Sequence, residues 1–136
     1  MALNSLLLDT SAYSVFRRGH PQVVQALQEA KTILIPATVL GELLAGFAAG
    51  SRREDNRSEL EEFLRSARVH TVPIGTLTAE RYAHIYAYLR GIGRPIPTND
   101  LWIAASAMEH GSELLTTDRH YLDVPQIIVR YVTSSE

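Results

Sequence analysis

Short apolar runs alternate with stretches of helical spacing along the whole chain, and that alternation limits the possible folds more than any other feature. Ser5–Asp9 (SLLLD), Thr32–Pro36 (TILIP), Val69–Ile74, Glu113–Thr117 and Gln126–Val132 read as strands. Helical patterns cover Pro21–Glu29, Thr38–Ala49, Ser58–Arg68 and Thr78–Gly91, and a last one runs from Thr98 or Asn99 to His110. Strands that alternate with helices build a parallel sheet covered on both faces. The expectation is one α/β domain over residues 1–136, with a central, mainly parallel sheet of about five strands flanked by helices. Pro21 suits a first helical turn, and Gly50 and Gly111 suit helix ends. Ser58, with Glu61 three residues on, reads as a capping box.

Composition removes several function classes. Cysteine is absent, so there is no disulfide, thiolate metal site or cysteine nucleophile. The net charge of -2 provides no overall positive field, so contact with nucleic acid needs a local basic surface. Lys31 is the one lysine among 13 cationic side chains; arginine suits bidentate phosphate contacts, although a GC-rich coding bias yields the same skew. No apolar run is long enough to cross a bilayer, and Met1–Leu8 lacks the basic start of a signal peptide. A cytoplasmic protein without membrane contact is expected.

The isolated charges carry the chemistry. Asp9 is the only charged side chain from Met1 to Phe16, Glu42 the only one from Thr32 to Gly50, and Asp100 the only one from Pro95 to Met108. An unpaired carboxylate in an apolar stretch is costly and needs compensation. Ligands of open parallel sheets bind beyond the carboxyl ends of the strands. Asp9 and Asp118 end their strands there, while Glu42 and Asp100 begin helices that can face the same rim. Carboxylates about 4 Å apart repel by roughly 4 kcal/mol at an effective dielectric of 20, so four of them together need a counter-charge. Oxygen donors without sulfur favour a hard cation, Mg2+ or Mn2+. Such an ion can activate a water and offset charge on a phosphate, which makes phosphodiester hydrolysis the natural chemistry. Duller roles remain open: Asp9 as cap of a short helix starting at Ser11 or Ala12, Asp100 as complement to a helix dipole, and Asp118 as a turn residue.

Four blocks occur in order: LLLDTSAY, IPATVLGELLAG, IPTNDLWIAASAMEHG and LLTTDRHYLDV. Together they resemble the PIN-domain ribonucleases, and most of all the VapC-type toxins of toxin–antitoxin pairs, from Ser5 to about Val132. The resemblance implies that Asp9, Glu42, Asp100 and Asp118 bind one or two Mg2+ or Mn2+ ions and cut RNA. It also implies a homodimer silenced by a cognate antitoxin, whose C-terminal segment lies in a groove formed by helices 21–29, 38–49 and 58–68. Thr10 or Ser11, Asn99 and Thr116 are expected to orient ligands or waters. Phe47 and Leu60 line that groove or belong to the core, the core being favoured by their spacing. Arg17 with Arg18, or the cluster Arg52, Arg53 and Arg57, offers phosphate contacts, and Arg119 and His120 adjoin Asp118. Asp123 is expected at the surface. Trp102 and the tyrosines around Tyr82 are expected in the core.

Three other readings compete. A PIN nuclease of RNA processing, outside toxin–antitoxin systems, shares every motif. A phosphoacceptor receiver domain also has an acidic magnesium site, but needs a lysine late in the sheet, and Lys31 precedes the second strand. A haloacid-dehalogenase-like phosphatase needs an aspartate two residues after its nucleophile, where Ser11 stands.

Overall fold

The computed structural model describes residues 5–134; the outer bounds of the expected 1–136 domain lie outside the described residues. Its five strands are β1 (Ser5–Leu8), β2 (Thr32–Pro36), β3 (Val69–Val72), β4 (Glu113–Thr116) and β5 (Ile128–Tyr131). They form one sheet in the order β3-β2-β1-β4-β5, and all four pairings are parallel. β1, β2 and β4 have buried apolar centres (residues 6–8, 33–35 and 114–115), as strands covered on both faces require, and Leu7 stands between Leu34 and Leu114 in register. The edge strands β3 and β5 leave His70, Thr71, Ile128 and Arg130 exposed. Among the described residues no helix is long and apolar enough to cross a membrane.

The helices are α1 (Thr10–Arg17), α2 (Pro21–Glu29), α3 (Ala37–Ala49), α4 (Arg53–Leu64), α5 (Thr76–Gly91) and α6 (Thr98–His110). α1 was legible only as the alternative in which Asp9 caps a short helix. Asp9 is its N-cap by backbone position, yet its side chain makes no capping bond. The expected helix from Ser58 to Arg68 is displaced. α4 begins at Arg53, with Glu54 and Asp55 in its first turn, where acids complement the helix dipole. The Ser58–Glu61 capping box is therefore not formed, since both residues lie inside the helix. β3 stops at Val72, and Ile74 is exposed. Gly50 closes α3 in extended rather than left-handed backbone. Gly111, at φ 62°, closes α6 in the left-handed region that a side chain disfavours.

Leu60 is buried, and Phe47 packs half-buried against the core. Tyr82 packs on Trp102 with ring centroids 4.2 Å apart, joining α5 to α6. Tyr86, expected inside, is exposed; its turn of α5 presents Ile85 and Leu89 to the core instead. Asp123 lies at the surface, 3.4 Å from Arg94.

Candidate active site

The sheet order reverses between β1 and β4, and the crevice at such a switch point is where ligands bind in open α/β sheets. Asp9 follows β1 directly, and Asp118 lies two residues beyond β4. The two strands are adjacent and parallel, so both acids emerge at one rim. Asp9 is buried. Its Oδ2 accepts hydrogens from the hydroxyls of Ser11 at 2.8 Å and Thr116 at 2.7 Å. Its Oδ1 accepts from the Tyr121 hydroxyl at 3.1 Å. A carboxylate offers about four lone-pair positions, so Oδ1 keeps one free for a further partner.

α6 supplies Asp100 from its first turn. Asp100 Oδ2 lies 3.2 Å from His120 Nδ1, which also lies 3.2 Å from Asp118 Oδ1. Donor atoms of Asp100, Asp118 and His120 fall within 4.8 Å of one another. Asp118 also accepts from the His120 backbone N–H at 2.9 Å, capping a 3-10 turn over Arg119–Asp123. It is thus both a turn residue and a member of the cluster.

Glu42 stands at the edge of this group. The Thr10 hydroxyl donates to its Oε1, and the Asn99 amide donates to its Oε2 at 2.9 Å. Thr10 follows Asp9 and Asn99 precedes Asp100, so Glu42 fastens α3 to the starts of α1 and α6. Asn99 does not cap α6, whose N-cap position is Pro97; its amide is turned to Glu42 instead. All four residues expected to orient ligands, Thr10, Ser11, Asn99 and Thr116, make a hydrogen bond to an acid.

Burial, with a smaller contribution from neighbouring charge, sets the protonation of Asp9 and Asp100. Burial pushes the Asp9 carboxyl above the usual carboxylate range, against the pull of its hydroxyl donors, and the charge of Asp100 adds to the rise. Burial also raises Asp100; the His120 hydrogen bond opposes this and the charge of Asp118 adds to it. His120 is raised chiefly by its hydrogen bond to Asp100. The buried Tyr121 hydroxyl is raised by desolvation and by the charges of Asp9 and Asp100. A divalent cation would offset the cost of ionising these partly buried carboxylates. The oxygen-rich donor set, with a single imidazole, fits a hard ion better than zinc.

Sequence reasoning missed Tyr121 and the central position of His120. The available signal was the tyrosine itself, because a buried phenol needs a hydrogen-bond partner and the nearest acids in sequence are Asp118 and Asp123.

Comparison with known proteins agrees with this geometry. The PIN domain family matches residues 6–127. Ribonuclease VapC4 of Mycobacterium tuberculosis is 32% identical over 95 residues, covering 70% of this chain and 73% of the relative. Ribonuclease VapC2 of Rickettsia felis is 27% identical over 128 residues, covering 90% of this chain and 94% of the relative. In the crystal structure of VapBC2 from Rickettsia felis bound to a DNA fragment from their promoter, the similar chain superposes with a TM-score of 0.83 at 24% identity. That match covers 93% of this chain and 98% of the other. With its parallel five-stranded sheet and acidic rim, this chain belongs to the PIN-domain family.

Proposed function

We propose that this protein is a metal-dependent ribonuclease in which Asp9, Glu42, Asp100 and Asp118 form the catalytic acidic group, and that it acts as the toxin of a VapBC-type pair. The observation that carries this reading is the convergence of Asp100, Asp118 and His120 within 4.8 Å, beside a buried Asp9 that is bonded to three hydroxyls. Asp9, Asp100 and Asp118 hold Mg2+ or Mn2+; Glu42, held by Thr10 and Asn99, closes the rim. When bound, a divalent ion supplies positive charge against the scissile phosphate. Ser11, Thr116 and Tyr121 fix the Asp9 carboxylate, and Asn99 and Thr10 fix Glu42.

The relatives' names support an RNA substrate, and the similar VapBC structures an antitoxin partner; a homodimer and a cytoplasmic location are part of the same reading. The antitoxin segment is assigned to the apolar groove of Phe16, Val24, Leu27 and Phe63, which runs between α1, α2 and α4. The α3 helix, expected to share that groove, lines a different one with α1 and α4.

The experiment is direct. Purified protein with Mn2+ or Mg2+ is expected to cut members of a panel of transfer and ribosomal RNAs, and EDTA to stop it. Intact RNA throughout, with no growth arrest on expression, would end the reading.

A second outcome follows from the raised carboxyls. Folded-state pKa values above the unfolded ones mean that the folded protein binds protons more tightly. The stability contributed by Asp9, Asp100 and His120 is therefore present at low pH and lost as pH rises through their folded values. A divalent ion competes with those protons, so the melting-temperature gain from Mn2+ grows as pH rises from the ordinary carboxylate range to above the ordinary histidine value. At about 100 times its dissociation constant the ion adds about 2.7 kcal/mol. Differential scanning fluorimetry measures this, and an unchanged melting temperature at the higher pH contradicts an ion site.

A further inference from the structure

We propose that the polar groove between α1, α3 and α4 is a channel for the phosphodiester backbone of single-stranded RNA, placed to feed the strand to the acidic rim. The identity of the strand rests on the ribonuclease reading above; the anion-binding character rests on the groove alone. It has a volume of about 310 Å3 and presents Tyr13, Ser14, Arg17, Arg18, Arg52 and Asn56.

The first observation is an orphan hydroxyl. Tyr13 is 2% exposed. Its ring is fixed edge-on against Phe63 at 5.4 Å and tilted against Phe16 at 6.2 Å. The residue lines the groove, and its hydroxyl, sealed from solvent behind the groove wall, has no hydrogen-bond partner among the described residues. A buried phenol left without a partner is costly, and a small shift of the wall that admits a phosphate oxygen would satisfy it.

The second is the balance of charge. All the polar groups named can donate hydrogen bonds, and three are permanent cations. Glu59 is the one acid in the lining, and Arg17 engages it at 3.5 Å. Arg52 meets Asp55 at 3.6 Å, with both side chains largely in solvent, where such a pair is weak and exchangeable. Arg18 has no carboxylate partner among the described residues. A protein of net charge -2 has thus collected three arginines in one concavity.

The third is direction. Tyr13, Ser14 and Arg17 lie three, four and seven residues after Thr10, on the same face of α1. Thr10 holds Glu42, and Leu43 and Phe47 of α3 line the opposite wall. The groove therefore lies on the face of α1 that carries Thr10, about one helical turn from the residue that bonds Glu42. The half-buried Phe47 offers a base an apolar face. An acidic peptide would satisfy the same donors; RNA is the occupant favoured here, because a ribonuclease has to bring its strand to the acids and the arginine fork matches phosphate bidentately.

The test is fluorescence anisotropy with a labelled, unstructured RNA of about 12 nucleotides in EDTA, using the full chain across a salt series. Relative to wild type, Arg18→Glu with Arg52→Glu is expected to weaken binding at least about tenfold and to lower the salt slope by about 1.4, the value for two lost single-strand phosphate contacts. Tyr13→Phe is expected to weaken binding about threefold with the salt slope unchanged, as loss of one neutral donor requires. If the double glutamate variant does not melt like wild type, Arg18→Gln with Arg52→Gln carries the same loss of slope. Wild-type affinity and slope in a folded variant overturn the proposal, as does tighter binding of a labelled polyglutamate peptide than of RNA. Arginine-dependent RNA binding by a protein that never cuts RNA with Mn2+ would instead sustain the channel and sink the ribonuclease reading.

Discussion

Asp100→Asn is expected to lower RNA cleavage by about 10^3-fold at saturating Mn2+ while leaving the protein folded. A hard ion gains several kcal/mol from each anionic ligand at such a site, and about 4 kcal/mol corresponds to roughly three decades in rate. Asparagine keeps the shape of the residue but removes that charge. It also removes charge from a crowd: Asp100 faces Asp118, and burial already presses its carboxyl toward the neutral form. Without metal, the melting temperature of the variant should therefore be no lower than that of wild type. Asp9→Asn should behave similarly. Its remaining oxygen can accept from Ser11 and Thr116, while the new amide donates to the Tyr121 oxygen. Steady-state cleavage of a labelled RNA, paired with thermal melting, measures both. A folded Asp100→Asn variant cleaving within about tenfold of wild type would remove this residue from the catalytic group.

Leu7→Ala is expected to be the most damaging single change to the fold among those considered. Leu7 is fully buried on the central strand, in register with Leu34 on one side and Leu114 on the other. Truncating a leucine in such a place costs about 2–5 kcal/mol, because close-packed neighbours on both faces cannot collapse into the space. For a domain of this size the melting temperature should fall by about 10 °C or more. Ile128→Ala is the contrasting case. That side chain is 57% exposed on the edge strand β5, so its loss should stay within about 0.5 kcal/mol. Chemical denaturation of both variants measures the difference; similar stabilities would contradict the placement of β1 at the centre of the core. The strand matters for the site as well, since Asp9 is held by the end of β1 and by Thr116 at the end of β4.

The acids were legible before the fold because charge is scarce around them. An isolated Glu42 within TILIPATVLGELLAG, or an isolated Asp100 before LWIAASAM, needs a reason that periodicity does not supply, and its chemistry narrows the choice to a hydrogen-bond network or a cation. The strands were equally legible, because three central strands of a parallel sheet must be apolar throughout. Boundaries failed where local signals compete. Ser58 and Glu61 have capping spacing, but Glu54 and Asp55 lie at a better position for the helix dipole, and α4 begins before them. α1 was hidden because TSAYSV has the composition of a strand or loop as much as of a helix.

Residue order alone determined the class of fold and the central strands and singled out the four acids as candidates, since these follow from where apolar and charged side chains sit along the chain. Only the tertiary structure decided which groups touch: that Tyr121 and Thr116 grip Asp9, that His120 sits between Asp100 and Asp118, and that Tyr13 lines an arginine-bearing groove. The contacts of Asp9 with Tyr121 and of Asp100 with His120 join residues 112 and 20 positions apart. Their distances are set by strand order and helix packing, and no local pattern encodes them.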